Sequence, residues 1–519
     1  MSDKSIPFKG LCGCSYQSSS KYAAVERSIN WFPETVENPD ETKTRIVLYP
    51  TPCTGFYGEL PDPSFQQNAR GLIEINGNLY GVNGNIVFRF YAPNSGPYQP
   101  NPNGSFVNIG TVIDDGFPVT MVANGVIASG QQILISSANK LYVIITATDT
   151  VTLVTSLAGQ SVAFLDDYFI SIIPGTNGIQ VSAINDGTTW NPLATAYTQG
   201  QSDALVNLIA DREYLWLFGS RRMEIWYNAG TLAFPFAIQP GAFIEMGLGA
   251  QNALTQADNS LFWLGQDKRG GLSAWRANGL TPIRVSNHAV EQFWAKYSST
   301  SDCIVYSFLW RGHTFVRFIF PTATMPGSPQ VGYGWTYDVT TSQMLGYSVW
   351  HENRFTNDQG QDFAPIERTH AYYKGAHVVG SGGADGNIGT LFQFTDTTAL
   401  PVNPVITLQC SDDGGQTWGI ERILAVGVVG QYAYRVLWNL LGSSRDRVFK
   451  IKAVDYGDAA QAFPIVRERI CPHIWDNNNR IFYSRLELEL AKGIGNAGGV
   501  SEGFWAIITG ELTIDPGVN

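Results

Sequence analysis

The sequence predicts an all-β fold, and three observations carry that prediction. Tight-turn dipeptides punctuate the chain: Asn-Gly begins at Asn76, Asn83, Asn103, Asn124, Asn177 and Asn278, and Asp-Gly at Asp115, Asp186, Asp385 and Asp413. These are the pairs that accept the positive φ of short hairpin loops. Between them run short stretches rich in Val, Ile, Tyr, Phe and Trp, among them residues 78–82, 86–90, 132–136, 214–218, 223–227, 261–264 and 314–320, which read as strands. Helical periodicity is scarce. Its best case is residues 287–297, where Val290, Phe293, Trp294 and Tyr297 share one face at helical spacing. Ser286 or Asn287 is the expected cap, and one aromatic-faced helix packed on a sheet is the expected structure.

Aligned strand pairs give a loose repeat beginning near Arg70, Ala123, Val162, Leu208, Ala253, Cys303 and Thr369. Intervals of about 40–50 residues are the size of a four-stranded propeller blade. A β-propeller-like ring of about seven blades is therefore expected over residues 61–395, with the sheet edges removed by closure. A polar insertion, residues 350–367, precedes the last unit. Residues 1–60, rich in Pro and Ser and without strand periodicity, are expected to form an extended N-terminal arm that contacts a neighbouring copy. Residues 396–519 change character. Segments 405–410, 434–438, 448–453 and 482–490 read as strands of an appended C-terminal β-module, and strict alternation over 485–490 gives that strand one buried and one wet face.

Composition excludes several classes. The chain has 519 residues, 15% charged and 44% hydrophobic, the opposite of a disordered composition. Its longest apolar runs fall far short of the roughly 18 residues of a membrane helix, and residues 1–10 are not followed by an apolar leader, so neither a membrane span nor a signal peptide is expected. A net charge of −11 argues against a protein that grips DNA by neutralising phosphates. The basic pairs Arg221-Arg222, Lys268-Arg269, Arg445 with Arg447, and Arg467 with Arg469 are read as solvated hairpin faces or ion-pair partners. Cys12, Cys14, Cys53, Cys303, Cys410 and Cys471 are scattered, as free thiols of a reducing compartment are. Cys12-Gly13-Cys14 lacks the second pair a zinc site needs.

Catalytic signatures are missing. There is no P-loop and no G-x-S-x-G elbow, and His351-Glu352 is not followed by the second His of a zinc protease. The histidines (His288, His313, His351, His370, His377, His473) are dispersed, and each is read as a hydrogen-bonded surface or core residue. Asp114-Asp115 and Asp166-Asp167 sit in turn-like text and are expected to be solvated. One motif stands out. Ser411, Asp413, Gly415, Thr417 and Trp418 fit S-x-D-x-G-x-T-W, and residues 185–190 are a partial second copy. This resembles the Asp-box hairpin of sialidases and related propellers. The Asp413 carboxylate can accept backbone N–H groups across the turn, Gly415 permits the reversal, and Trp418 is expected to lie beneath the hairpin. That is a folding device. No catalytic, metal or cofactor residues are expected, and the chain is read as not an enzyme.

Several segments together resemble one family. They are residues 28–34 (Ser-Ile-Asn-Trp-Phe-Pro-Glu), 48–52 (Leu-Tyr-Pro-Thr-Pro), 69–72 (Ala-Arg-Gly-Leu) leading into 75–80, 215–219 with Glu224-Ile225-Trp226, Pro235-Phe236 leading to 241–247, and 272–279 leading into Arg284-Val285-Ser286. Their order resembles the tail-hub proteins of short-tailed bacteriophages, also called packaged-DNA stabilisation or head-completion proteins. The Asp box, then Gly430-Gln431-Tyr432, residues 435–438 and residues 441–448 resemble a module of phage virion proteins, with the difference that strand 485–490 here follows the Asp box. The resemblance implies a ring, a homohexamer, below the portal and its adaptor. Made and assembled in the host cytoplasm, it would sit in the virion tail, close the DNA channel after packaging and attach fibres, spikes or a needle. Packaged DNA would pass at ejection without sequence-specific binding. Two other readings stay open: a glycan-acting propeller, either a sialidase-like hydrolase or a lectin, and a receptor-binding tail adhesin.

Overall fold

The structure is a computed structural model. It describes the chain apart from residues 1–3, 37–44, 59–66, 93–103, 127–129, 201–202, 232–233, 268, 358, 383–389, 396–404, 427–433, 457–463, 477–478, 493–504 and 517–519. The resemblance segment Gly430-Gln431-Tyr432 and the boundary expected at 395/396 fall on or beside residues outside that description.

Short antiparallel sheets follow one another around a common centre. Blade 1 consists of Ala69–Ile75, Asn78–Asn83, Ile86–Tyr91 and Ser105–Thr111. Blade 2 is Thr120–Ala123, Gln132–Ser137, Lys140–Ile145 and Thr150–Leu153. Blade 3 is Gln160–Leu165, Tyr168–Ile172, Gly178–Ile184 and Asp186–Tyr197, and blade 4 is Leu205–Asp211, Tyr214–Gly219, Met223–Asn228 and Phe236–Ile244. Blade 5 holds Leu254–Ala257, Ser260–Gln266, Leu272–Asn278 and Thr281–Arg284, with Gly247–Leu248 at its side. Blade 6 is Ile304–Trp310, His313–Phe320, Tyr333–Asp338 and Trp350–Asn353. The last sheet joins Glu367–Tyr373, Ala376–Ser381 and Leu391–Thr395 to Cys53–Gly58 from the start of the chain. Among the described residues this makes seven propeller sheets. The repeat positions named from the sequence fall in, or one residue before, their first strands, except Ala123 at the end of one.

The strand Cys53–Gly58 closes the ring. It pairs with Leu391–Thr395, placing Phe56 opposite Phe392, and the first strand of that blade packs against the first strand of blade 1. Gly380 makes this approach possible, because a Cβ there would meet the Ala69 Cβ at 2.4 Å. The expectation of an extended arm over residues 1–60 is therefore corrected. Lys4–Pro7, Tyr16–Gln17, Val25–Ile29, Trp31–Val36, Arg45–Pro50 and Cys53–Gly58 are all strands. Tyr16–Gln17 pairs locally with Val25–Ile29, and Trp31–Val36 with Arg45–Pro50, but Lys4–Pro7, Val25–Ile29 and Cys53–Gly58 join strands hundreds of residues away, which no local period announces.

Two sheets form a sandwich beside blade 6. One runs in the order Tyr434–Ser444, Ile481–Lys492, Trp505–Pro516, Arg45–Pro50, Trp31–Val36, with Lys4–Pro7 paired to Trp505–Pro516. The other continues blade 6 itself. Val25–Ile29 pairs with Trp350–Asn353, and Pro464–Ile470, Asp446–Tyr456, Val405–Ser411 and Arg422–Ala425 follow in order. Phe8, Leu11, Trp31, Leu48, Leu408, Phe449, Ile451, Leu486 and Leu488 fill the space between them. The C-terminal module is thus built on N-terminal strands and shares one hydrogen-bonded sheet with the ring.

The expected helix spans His288–Trp294 (α1), with the Asn287 side chain accepting from the Val290 N–H. Its buried Trp294 meets Phe318, Phe320 and Trp350 of blade 6. A second helix, Val339–Leu345 (α2), was not expected from periodicity. Its signals are its ends: Asp338 accepts from the Thr341 N–H, and Gly346 stops it at φ 72°.

Candidate functional site

The first strands of the blades surround a central cavity of about 600 Å³. Its walls include Leu72, Met121, Phe164, Leu254, Tyr306 and His370. The size is that of a small-molecule pocket. No described residue lining it is Asp or Glu, the residue types whose facing carboxylates carry glycoside hydrolysis. His370 Nε2 lies 3.0 Å from His377 Nδ1. Burial, with His377 and Arg317 nearby, pushes His370 down to about 3, which keeps it a neutral imidazole.

The buried charges act as structural joints. Arg70 is almost fully enclosed and donates to the carbonyls of Gly84 (2.8 Å), Ile113 (3.2 Å) and Phe117 (2.6 Å), to Ser137 Oγ (2.8 Å) and to Asp115. It ties blade 1 to blade 2, so Asp115, exposed in its turn as expected, is also an ion-pair partner. Glu224 is fully buried and accepts from Trp226 Nε1 (2.9 Å) and the Gly200 N–H (2.6 Å). Arg317 pairs with Glu367 at 2.8 Å and lies over the Phe308 ring. Arg27 pairs with Glu352. Each carboxylate is committed to a neighbour, as buried charges must be.

His313 joins the sandwich to blade 6. Its Nδ1 faces Asp338 Oδ2 at 3.0 Å and its Nε2 faces Glu34 Oε2 at 3.4 Å. Burial alone would lower its pKa, but the Asp338 and Glu34 carboxylates outweigh burial and raise it to about 9. The ordinary unfolded value is about 6.5. The stabilisation is therefore fully present below about pH 6.5 and is lost as pH rises through about 9. The melting temperature should fall between pH 6.5 and 9.5, and His313→Gln should lower it at pH 6 while flattening that dependence. Parallel wild-type and variant melting curves across this range would contradict the assignment.

The Asp box has the expected bonds. Asp413 Oδ1 accepts from Ser411 Oγ (2.7 Å) and from the N–H groups of Gln416 and Thr417 (2.9 Å each), and Oδ2 accepts from Thr417 Oγ1 (2.6 Å). Gly414 and Gly415 make the reversal at φ 71° and 78°. Hydrogen bonds from Thr417 first, then from Ser411 and Gln416, hold the Asp413 carboxyl well below the usual carboxylate range. Trp418 is only half-buried, against Val25, Val448 and Ile470, with Lys450 Nζ 4.3 Å from its ring centroid. Its ring edge also approaches the turn, 3.4 Å from where a Cβ on Gly415 would stand. The partial copy keeps the same logic: Asp186 Oδ1 accepts from the Thr188 N–H, and Trp190 Nε1 donates to the Gly187 carbonyl at 2.6 Å. Asp413→Ala should speed hydrogen exchange at the Gln416 and Thr417 amides and leave the propeller strands unchanged. Unaltered exchange at both amides would refute a structural role for the carboxylate.

Two of the basic pairs read as solvated hairpin faces or ion-pair partners do hold ion pairs, and these lie partly in the interior. Arg447 makes a two-pronged bond to Asp412 (2.6 and 2.8 Å) and lies over Tyr483. Arg469 is fully enclosed, and donates to the carbonyls of Leu11 (2.7 Å), Gly10 (2.7 Å), Cys14 (3.0 Å) and Arg27 (3.2 Å) and to Glu26 Oε2 (3.1 Å). Sequence reasoning missed this clamp because its partners are some 440–460 positions away. Cys471 is buried and Cys12 partly so, and desolvation pushes both thiols up to about 12. Among the described residues no group of His, Cys, Asp and Glu is arranged to hold a metal ion, and no helix is long and apolar enough to cross a membrane.

Comparison with known proteins gives two family matches. The model described as "Bacteriophage P22 Gp10, beta-propeller" matches residues 85–396, and "Bacteriophage P22 Gp10, beta-sandwich" matches residues 383–463. No curated protein sequence matches. Among solved structures, an ancestral GH74 enzyme is similar at 11% identity and a TM-score of 0.39, over 88% of this chain and 61% of that one. The extracellular domain of a protein assigned to the hybrid two-component systems of B. thetaiotaomicron is similar at 9% identity and a TM-score of 0.34, over 86% of this chain and 54% of that one. The chain thus spans less than two thirds of the length of either.

Proposed function

From its membership of the bacteriophage P22 Gp10 family, a family of phage tail structural proteins, we propose that this chain forms the tail hub below the portal and its adaptor. In that role it assembles with itself into a ring, a hexamer, closes the DNA channel after packaging and gives fibres, spikes or a needle a place to attach. The observation that carries the reading is the shared sheet running from blade 6 into the sandwich. With Cys53–Gly58 closing the propeller, it makes ring and module one stiff unit, suited to a part that bears load at ejection. The duplex would pass through the centre of the assembled ring, not through the narrow cavity of each propeller. A net charge of −11 suits a wall that DNA slides past.

The chain is proposed to act without catalysis; no described residue lining the central cavity is Asp or Glu. Fluorogenic glycosides should give no turnover above buffer, and duplex DNA should not be retained at physiological salt. Robust hydrolysis would return the glycan-acting reading to first place, and tight duplex binding would remove the passive conduit.

A further inference from the structure

Consecutive blade strands run in alternating directions. The turn after each first strand therefore lies on one face of the propeller, and the turn between second and third strands on the other. On the second face, two such turns from neighbouring blades enclose a concavity of about 390 Å³, bounded by Ser220, Arg221, Gln266, Asp267, Arg269 and Gly270. The nearby acids are already engaged. Asp267 Oδ1 accepts from the N–H groups of Arg269 and Gly271 (2.8 Å each), Asp203 Oδ2 accepts from Ser220 Oγ (3.0 Å) and the Arg221 N–H (2.9 Å), and Glu245 stands 3.9 Å from Arg222. Among the described residues no carboxylate forms an ion pair with the side chains of Arg221 or Arg269, both of which are exposed. The Asp267 and Asp203 carboxylates keep their charge but are turned to N–H and O–H donors, so the exposed Arg221 and Arg269 guanidiniums are the groups this hollow offers to an anionic occupant.

The opposite face supplies one. Asp166 and Asp167 form the two-residue turn after the first strand of blade 3, at φ 46° and 68°, and both are exposed. Asn185 Nδ2 donates to Asp167 Oδ1 at 3.0 Å and steadies the tip. The other described turns in the same place hold at most one carboxylate, as in Arg212-Glu213 and Asp258-Asn259. We propose that the Arg221/Arg269 concavity is the socket for the Asp166-Asp167 hairpin tip of a second copy of this chain. Socket and tip lie on opposite faces of one chain, so the contact is heterologous, the kind that generates rings. Charges of this sort set register and encounter more than raw affinity, and salt screens them. The inference rests on the ring reading above and names the surfaces by which copies meet.

The test is a charge swap, read by light scattering over a dilution series. Arg221→Glu with Arg269→Glu should raise the concentration at half-assembly about tenfold or more, and Asp166→Lys with Asp167→Lys should do the same. A chain carrying all four changes should recover to within about threefold of wild type, because the attraction is restored with its sign exchanged. Asp166→Asn with Asp167→Asn keeps the turn, since Asn tolerates positive φ, and should weaken assembly less than the lysine pair. Melting curves show which variants fold. A wild-type ring indifferent to both reversals overturns the socket and leaves the ring reading standing. Failure of the folded fourfold variant to recover also overturns the socket, as does a socket reversal that changes duplex DNA retention but not assembly. A wild-type chain monomeric at every concentration removes the ring reading and the socket with it.

Discussion

Arg469→Leu should destabilise the sandwich by about 3–5 kcal/mol, the usual cost of removing one side of a buried charged contact. The guanidinium satisfies the carbonyls of Gly10, Leu11, Cys14 and Arg27 and the Glu26 carboxylate from a fully buried position. Leucine offers none of these donors, and each orphaned polar group adds to the loss. The effect should be local. Urea unfolding monitored by hydrogen exchange should show strands Pro464–Ile470 and Val25–Ile29 opening first, with blades 2 to 4 unchanged. Arg469→Lys should restore little, because an ammonium is a point donor and the acceptors surround a planar fork. An Arg469→Leu variant with wild-type exchange in those strands would show that the clamp contributes nothing.

A chain shortened to begin at Ala23 should lose comparable stability. Phe8 and Leu11 are buried in the core between the sandwich sheets, and apolar side chains of that size contribute roughly 1.5–3 kcal/mol each. Lys4–Pro7 also covers Trp505–Pro516, which would lose a strand neighbour. Removing the segment takes Gly10, Leu11 and Cys14 from Arg469 as well. The monomer itself should therefore become protease-sensitive within residues 405–516. An arm reserved for a neighbouring copy would behave differently, with assembly lost and the monomer as resistant as before.

Much of the ring was legible because its information is local. Turn pairs, short apolar runs and a repeat of blade length mark the propeller strands where they stand, and Asn287 with Val290, Phe293 and Trp294 marks α1. The Asp box was legible for the same reason, since Ser411, Asp413 and Thr417 bond within four residues of one another. The closures were not. Cys53–Gly58 completes a blade whose other strands begin at Glu367, and nothing near residue 53 encodes that partner. Arg467 and Arg469, read in sequence as a solvated hairpin face or ion-pair partners, are both almost wholly buried. A charged residue's burial depends on acceptors gathered by the fold, and here they come from the far end of the chain. The same long range hid Asp115 as a partner of Arg70. The surfaces that meet other proteins leave the weakest local trace, because exposed turns such as Ser220-Arg221 serve a hairpin equally well with or without a partner.

The chain belongs to a family of phage tail structural proteins, and its copies are proposed to form a ring there. The mass in solution of the purified protein mixed with the portal and its adaptor tests it most directly. The expected result is a closed ring of copies, a hexamer, bound to that complex. A chain that stays monomeric with both partners present would contradict it.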